Sequence, residues 1–271
     1  MKTCKNFGEN MEKNVLIYAE RWCSGGIESL ISNLVSNLDK SKFNIKILVS
    51  QKETSIYDDL LDNIKIEEIL KEKVENPFVR MFKTIIKFKK TIKNKTIDVI
   101  HINIYNGVGM IYAYLAHKLG IKNIIVHAHN NGIDNDKFKI KLILHKICKT
   151  LFSKYANYYI ACSNEAARFC YNIPNDKKMI IINNGIDVER FKYDDNKRNE
   201  YRKEFGVKDN FVIGNVARLV EQKNPEFLLD IFAEIKKIKN NSKLIMVGSG
   251  TLEEKIKQKM QKAKLENDVI M

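Results

Sequence analysis

Short, nearly unbroken apolar runs recur along this chain, each followed by a segment whose apolar residues return every third or fourth position. The runs of the larger, N-terminal part are "KNVLIYAE", "FNIKILVS", "IDVIHIN", "NIIVHAH" and "YYIACS". After the first of them, Ile27, Leu30, Ile31, Leu34, Val35 and Leu38 fall on one side of a helix. A strand that is apolar at successive positions must be dry on both faces, and helices between consecutive strands supply that cover. The pattern therefore predicts an α/β fold built on a doubly wound, Rossmann-like parallel sheet. It places a weaker strand at Ile64 to Leu70 and helices over Phe78 to Lys93, Gly107 to Leu119 and Lys139 to Ser153. A short helix follows "YYIACS", and "KMIIINNGID" closes this half.

Around Asp187 to Asn210 the apolar content drops, and then the alternation restarts. "FVIGNVARL" and "KLIMVGSG" read as strands, Pro225 to Lys239 and Thr251 to Lys264 as helices, and "DVIM" as the start of another strand. The expected organisation is a disordered lead over 1–12, with Met11 as an alternative start, a first domain over 13–190 and part of a second over 191–271. Two strands and two helices leave a sheet edge and apolar surface uncovered. A domain of ordinary size would need roughly another hundred residues. The second domain is therefore expected to be incomplete, as in a chain cut part-way through it.

Composition narrows the class. Five cysteines without C-x-x-C spacing suit reduced thiols in a cytoplasm, and neither a disulfide frame nor a zinc site. No run reaches transmembrane length, and the opening "MKTCKNFGENMEK" lacks the apolar region of a signal peptide. The net charge of +14 comes from lysines spread along the whole chain rather than gathered in a footprint, so no nucleic-acid partner is expected.

Residues 19–34, "AERWCSGGIESLISNL", place Gly25 and Gly26 between a strand and a helix, without a P-loop or a G-x-G-x-x-G fingerprint. Either the turn demands positive φ, or an anion approaches the backbone at a helix N-terminus, where N–H groups and the helix dipole favour negative charge. In "GNVARLVEQKNPEFLLDIF", Arg218 follows a strand and Lys223 precedes a helix opened by Pro225. Two cations at a strand end suit a diphosphate, and a solvated loop is the plain alternative. His127 and His129 lie on one side of their strand by period two. Asn184-Gly185 is a turn signal, and Gly248 and Gly250 suit a strand-to-helix turn. Asp134 and Asp136 are read as loop residues, not as a metal site, and no metal ligands are expected.

Two helices carry basic stripes: Lys83, Lys87 and Lys90 beside Phe78, Phe82, Ile85, Ile86 and Ile92, and Lys139, Lys146 and Lys149 beside Ile140, Leu144, Ile147 and Leu151. Such helices either dock on anionic lipid or have an ordinary core side and wet side.

The order "SGGIESL", "VHAHN", "YYIACSNEAARF", "INNGIDVERF", "GNVARLVEQKNPEFLLDIF", "LIMVGSGTLEEKI" resembles glycosyltransferase family four from about Lys13 to the last residue, with "HAHN" closest to bacterial transferases of capsule and exopolysaccharide. The resemblance implies a GT-B fold of two Rossmann-like domains, with the acceptor on the first and a UDP-linked nucleotide sugar on the second. It implies diphosphate contacts for Gly25, Gly26, Arg218 and Lys223, a catalytic role beside the reacting sugar for His129, and a crossing between domains at Asn184 and Gly185. It also implies transfer of a hexosyl-type unit with retention to a glycan or lipid-linked acceptor, without a cofactor, in the cytoplasm or at the inner face of its membrane. The family's pair of donor-binding glutamates has no counterpart before Met271, so this chain by itself is expected to lack that contact and its activity. A sugar-nucleotide epimerase on the same fold would need acid/base carboxylates in the cleft, and a basic anion-binding module would need clustered cations beside exposed aromatics.

Overall fold

A computed structural model describes residues 12–61, 64–132, 139–173 and 179–271. The chain divides into two compact units, Met1–Ile186 and Asp187–Met271. The division lies four residues before the boundary drawn at 190, within the same apolar-poor stretch.

The first unit is a seven-stranded parallel sheet in the order β3-β2-β1-β4-β5-β6-β7. Its strands are β1 Lys13–Trp22, β2 Phe43–Lys52, β3 Ile66–Glu68, β4 Val99–Ile104, β5 Asn123–Ala128, β6 Tyr158–Ala161 and β7 Met179–Ile181. The crossovers are α1 Gly26–Asn37, α2 Pro77–Ile92, α3 Met110–Lys118, α4 Lys139–Phe152 and α5 Asn164–Cys170. The helix expected from Gly107 opens instead as a tight turn over Gly107–Gly109. That turn packs hard: a Cβ on Gly107 would lie 2.6 Å from the His145 carbonyl, and one on Gly109 2.4 Å from Ile104 Cγ2.

Successive side chains of β1 enter different cores. Leu16 and Tyr18 join a cluster with Phe88, Ile92, Tyr112 and Ala113, while Ile17 and Ala19 join Ile27, Ile31 and Val35 of α1. This is the two-sided burial that the unbroken apolar runs require. Tyr18, Phe88 and Tyr112 meet ring against ring at 4.6 to 4.9 Å, and the buried Tyr18 hydroxyl is 2.9 Å from Ser50 Oγ. A buried tyrosine needs that partner for its polar end.

The second unit holds α6 Asp195–Glu204, then β8 Phe211–Val216, α7 Pro225–Ile238, β9 Ser242–Val247, α8 Glu253–Lys262 and β10 Val269–Ile270. Its small parallel sheet runs β10-β9-β8. Leu229 and Phe232 of α7 and Ile256 and Met260 of α8 bury Leu244 and Met246 of β9. Val216 and Val247 are 82% and 53% exposed.

The basic helices differ from the expectation of an ordinary core side and wet side. On α2 only Thr84, Phe88 and Ile92 are buried, while Val79, Phe82 and Ile86 are exposed. On α4 only His145 and Cys148 are buried, and Ile140, Leu142, Ile143, Ile147 and Leu151 face solvent. Phe82, Ile86, Ile140, Ile147 and Leu151 therefore do not form a core side. Lys149 is the other correction. Its Nζ donates to the carbonyls of Arg168 and of Phe169, the latter at 2.8 Å, at the end of α5. That charge serves a helix C-terminus instead of a basic face.

Candidate functional site

In this strand order the winding reverses between β1 and β4, and doubly wound sheets bind ligands at the loops leaving the C-terminal strand ends of such a switch point. From β1 come Glu20, Arg21, Trp22, Cys23 and the glycine pair, and from β4 comes Tyr105. The loop after β1 is tied to the segment after β2. Trp22 Nε1 donates to Asp58 Oδ1 at 2.7 Å, Ser55 Oγ to the Cys23 carbonyl at 2.9 Å, and the Ile56 N–H to Ser24 Oγ at 3.2 Å. Arg21 pairs with Glu53.

Gly25 is the N-cap of α1 with φ −145°, and no side chain caps the helix there. Gly26 does not have positive φ either, so the turn does not demand the glycines for that reason. Space explains the first of them. A Cβ on Gly25 would lie 2.7 Å from Glu28 Oε2, whereas one on Gly26 would meet nothing within 4 Å among the described residues. Glu28, in the first turn of α1, folds back so that Oε1 accepts from the Cys23 N–H at 3.4 Å. This is close to a capping box, with the third residue of the helix satisfying a donor upstream of it. Burial raises the pKa of Glu28 and lifts the Cys23 thiol to about 11, where the Glu28 charge adds to the effect. Glu20 is also raised by burial, against the pull of Arg80, Arg21 and Lys141.

The histidines stand on β4, on β5 and just past β5, next to that switch point in strand order. On β4 the side chains of Ile100, Ile102 and Ile104 enter one core, which turns His101 and Asn103 to the opposite face; β5 does the same with His127. His101 Nε2 and His127 Nδ1 are 3.3 Å apart, with the rings stacked at 5.4 Å. His129, one residue past β5, lies 4.2 Å from the His127 ring, and its Nε2 is 2.9 Å from Asn103 Oδ1. His127 is 2% exposed, while His129 is half-buried. Desolvation holds all three rings neutral and depresses their pKa values to about 4 for His101, about 2 for His127 and about 3 for His129. His127 Nε2 and His129 Nδ1 are buried without a partner among the described residues.

In the second unit, Arg218 and Lys223 are exposed, and neither has an ion pair or side-chain hydrogen bond among the described residues. Lys223 ends a tight turn, Asn224 is left-handed at φ 46°, and Pro225 opens α7. Gly248 has φ +146°, and a Cβ there would lie 2.0 Å from the Ala217 carbonyl; one on Gly250 would lie 2.3 Å from that of Leu219. These two glycines let the loops after β8 and β9 touch.

Asn184 and Gly185 are exposed, and the Gly185 carbonyl accepts from Asn33 Nδ2 at 3.2 Å. Lys83, Lys87, Lys90, Lys139 and Lys146 are exposed as well. Asp134 and Asp136 lie outside the described residues. Among the described residues no group of three His, Cys, Asp or Glu side chains could hold a metal ion.

Asn103, His101 and Glu28 are the site residues that the sequence reading passed over. Each left a signal. His101 and Asn103 are polar residues at alternate positions of an otherwise apolar strand, and Gly25-x-x-Glu28 has capping-box spacing.

Comparison with known proteins gives two family matches, Glycosyltransferase Family 4 over residues 24–190 and Glycosyl transferases group 1 over residues 197–271. "Putative glycosyltransferase EpsF" of Bacillus subtilis (strain 168) is 27% identical over 269 residues, which cover 96% of this chain and 68% of that protein. The UDP-Gal:alpha-D-GlcNAc-diphosphoundecaprenol alpha-1,3-galactosyltransferase of Escherichia coli is 27% identical, over 83% of this chain and 59% of its own length. Among solved structures, Anabaena Alr3699/HepE in complex with UDP and glucose matches with a TM-score of 0.70 at 18% identity, covering 94% of this chain and 68% of that one. A UDP-N-acetylglucosamine 2-epimerase matches with a TM-score of 0.60 at 12% identity, covering 96% and 68%. Likeness at such identities speaks for a shared two-domain GT-B architecture, whatever the chemistry.

Proposed function

The chain belongs to glycosyltransferase family 4, and from that membership we propose that its protein moves a hexosyl-type unit from a UDP-linked sugar to a glycan or lipid-linked acceptor in polysaccharide biosynthesis. The observation that carries the reading is that Arg218 and Lys223, after β8 of the second unit, are exposed and have no ion pair or side-chain hydrogen bond among the described residues; in the first unit, the N-terminus of α1 after β1 has no side-chain cap among them. Exposed cations without partners and orphan N–H groups are what a diphosphate would satisfy. Anabaena HepE holds UDP and UDP-glucose, and the Escherichia coli relative acts on a diphosphoundecaprenol-linked sugar, which supports the donor and acceptor classes.

In this reading the Gly26 N–H region, Arg218 and Lys223 stabilise the charge that grows on the leaving diphosphate as the sugar becomes oxocarbenium-like. His129 stands beside the reacting sugar. Retention follows from an acceptor hydroxyl attacking on the face the donor phosphate leaves, with no protein nucleophile. Peripheral contact with the inner face of the membrane runs through α2 and α4, where Phe82, Ile86, Ile143 and Ile147 stand exposed among Lys83, Lys87, Lys90, Lys139 and Lys146. No helix among the described residues is long and apolar enough to cross a membrane.

Calorimetry with UDP on the parent and on Arg218→Ala tests the reading. Loss of one charge-assisted contact should weaken binding on the order of tenfold to a hundredfold. Equal affinity in the two proteins removes the cationic assignment. Conversion of a UDP-sugar to its epimer without an acceptor would replace transfer by the epimerase alternative.

A further inference from the structure

We infer that Asn103 is a positioning residue that locks His129 in the Nε2–H tautomer, so that its bare Nδ1 is presented as a hydrogen-bond acceptor.

The argument is one of donors and acceptors. Asn103 is 1% exposed on β4, and its Nδ2 lies 3.1 Å from the Tyr18 carbonyl on β1. A carbonyl only accepts, so the amide nitrogen must face Tyr18 and the amide oxygen must face the other way. That oxygen lies 2.9 Å from His129 Nε2. An amide oxygen also only accepts, so His129 Nε2 must carry the hydrogen. Because burial keeps the ring neutral, its second nitrogen then has a lone pair and no hydrogen. That atom, Nδ1, is buried and has no partner among the described residues.

The rest of the cluster gives no competing donor to His129. His127 packs its ring against His129 and directs Nδ1 to His101, and both of those rings are neutral too. The orientation of His129 is thus set from β1 through Asn103, two strands away from the residue it controls. Resting on the transferase reading, this has a consequence for the ligand. The group facing Nδ1 must donate a hydrogen, so a neutral sugar hydroxyl fits there and a carboxylate or phosphate oxygen does not.

The test is ¹⁵N NMR of the full chain with ¹⁵N-labelled histidine, with His129 assigned from the spectrum of His129→Gln. In the parent, His129 should show a pyrrole-type Nε2 bearing an exchange-protected hydrogen, and a pyridine-type Nδ1. Asn103→Leu should lose that protected hydrogen and populate both tautomers. Asn103→Asp keeps an oxygen opposite Nε2 and should keep the hydrogen, which covers the case in which the leucine variant fails to fold. An Nδ1–H tautomer in the parent, an unchanged Nε2–H signal in Asn103→Leu, or its loss in Asn103→Asp would each overturn the inference. Transfer is assayed separately: the expected tautomer in a protein with no transfer activity supports the inference and removes only the reading of function.

Discussion

Two adjacent glycines have opposite meanings once their surroundings are known. Gly25 lacks a Cβ because Glu28 occupies the space, whereas nothing among the described residues fills the space beside Gly26. Gly25→Ala should push Glu28 off the Cys23 N–H and cost about 1 to 2 kcal/mol in denaturant unfolding. Gly26→Ala, in the first turn of α1, should leave stability unchanged or raise it by about 0.5 kcal/mol, yet weaken UDP if the diphosphate approaches there. Stability and affinity moving together in both variants would contradict this division of roles. The histidines make a second prediction. Each of His101, His127 and His129 would titrate near 6.5 when unfolded but has a depressed pKa when folded, about 4, about 2 and about 3. Below pH 6.5 the unfolded chain therefore binds protons that the folded chain refuses, and stability falls as the pH drops towards 4. The slope is at most about 1.4 kcal/mol per pH unit for each histidine. Glu20 and Glu28, raised by burial, act in the opposite sense, so the comparison is with His101→Gln. The difference between parent and variant in guanidinium midpoint should shrink from pH 7 to pH 5, because the variant has one such proton fewer to take up.

At the scale of elements, α2 and α4 carry their surprise in plain sight. The helical periodicity of both was legible, and so was the lysine stripe. What periodicity could not say is which apolar positions would find a partner. Phe88 and Ile92 do, and Phe82 and Ile86, at 64% and 57% exposure, do not. α4 meets the fold through a histidine and a cysteine and leaves its isoleucines outside. Replacing Phe82, Ile86, Ile143 and Ile147 by serine should change stability by less than about 0.5 kcal/mol for each exposed site. Sedimentation with vesicles rich in anionic lipid should show binding reduced at least severalfold; undiminished binding would move the contact elsewhere. Lys149→Ala is the contrasting variant. It uncaps α5, so it should lower the melting temperature and leave vesicle binding nearly unchanged.

For the molecule as a whole, the donor reading assigns Arg218 and Lys223 of the second unit to one diphosphate, and a double-mutant cycle can measure that. Arg218→Ala and Lys223→Ala should show a coupling energy in UDP binding on the order of 0.5 to 3 kcal/mol, as groups sharing a partner do. Strict additivity would mean that they meet separate ligands. The sequence by itself determined the alternation of strands and helices and the parallel sheets, because both depend on apolar spacing along the chain. It also carried the ordered motifs by which the family is recognised. Only the tertiary structure decided that Glu28 fills the space beside Gly25 and that Asn103 spans from Tyr18 to His129. The same is true of Lys149, whose charge serves a helix end, and of Phe82, which stays uncovered. Those outcomes depend on which side chains from distant segments arrive at the same place, and local spacing does not contain that information.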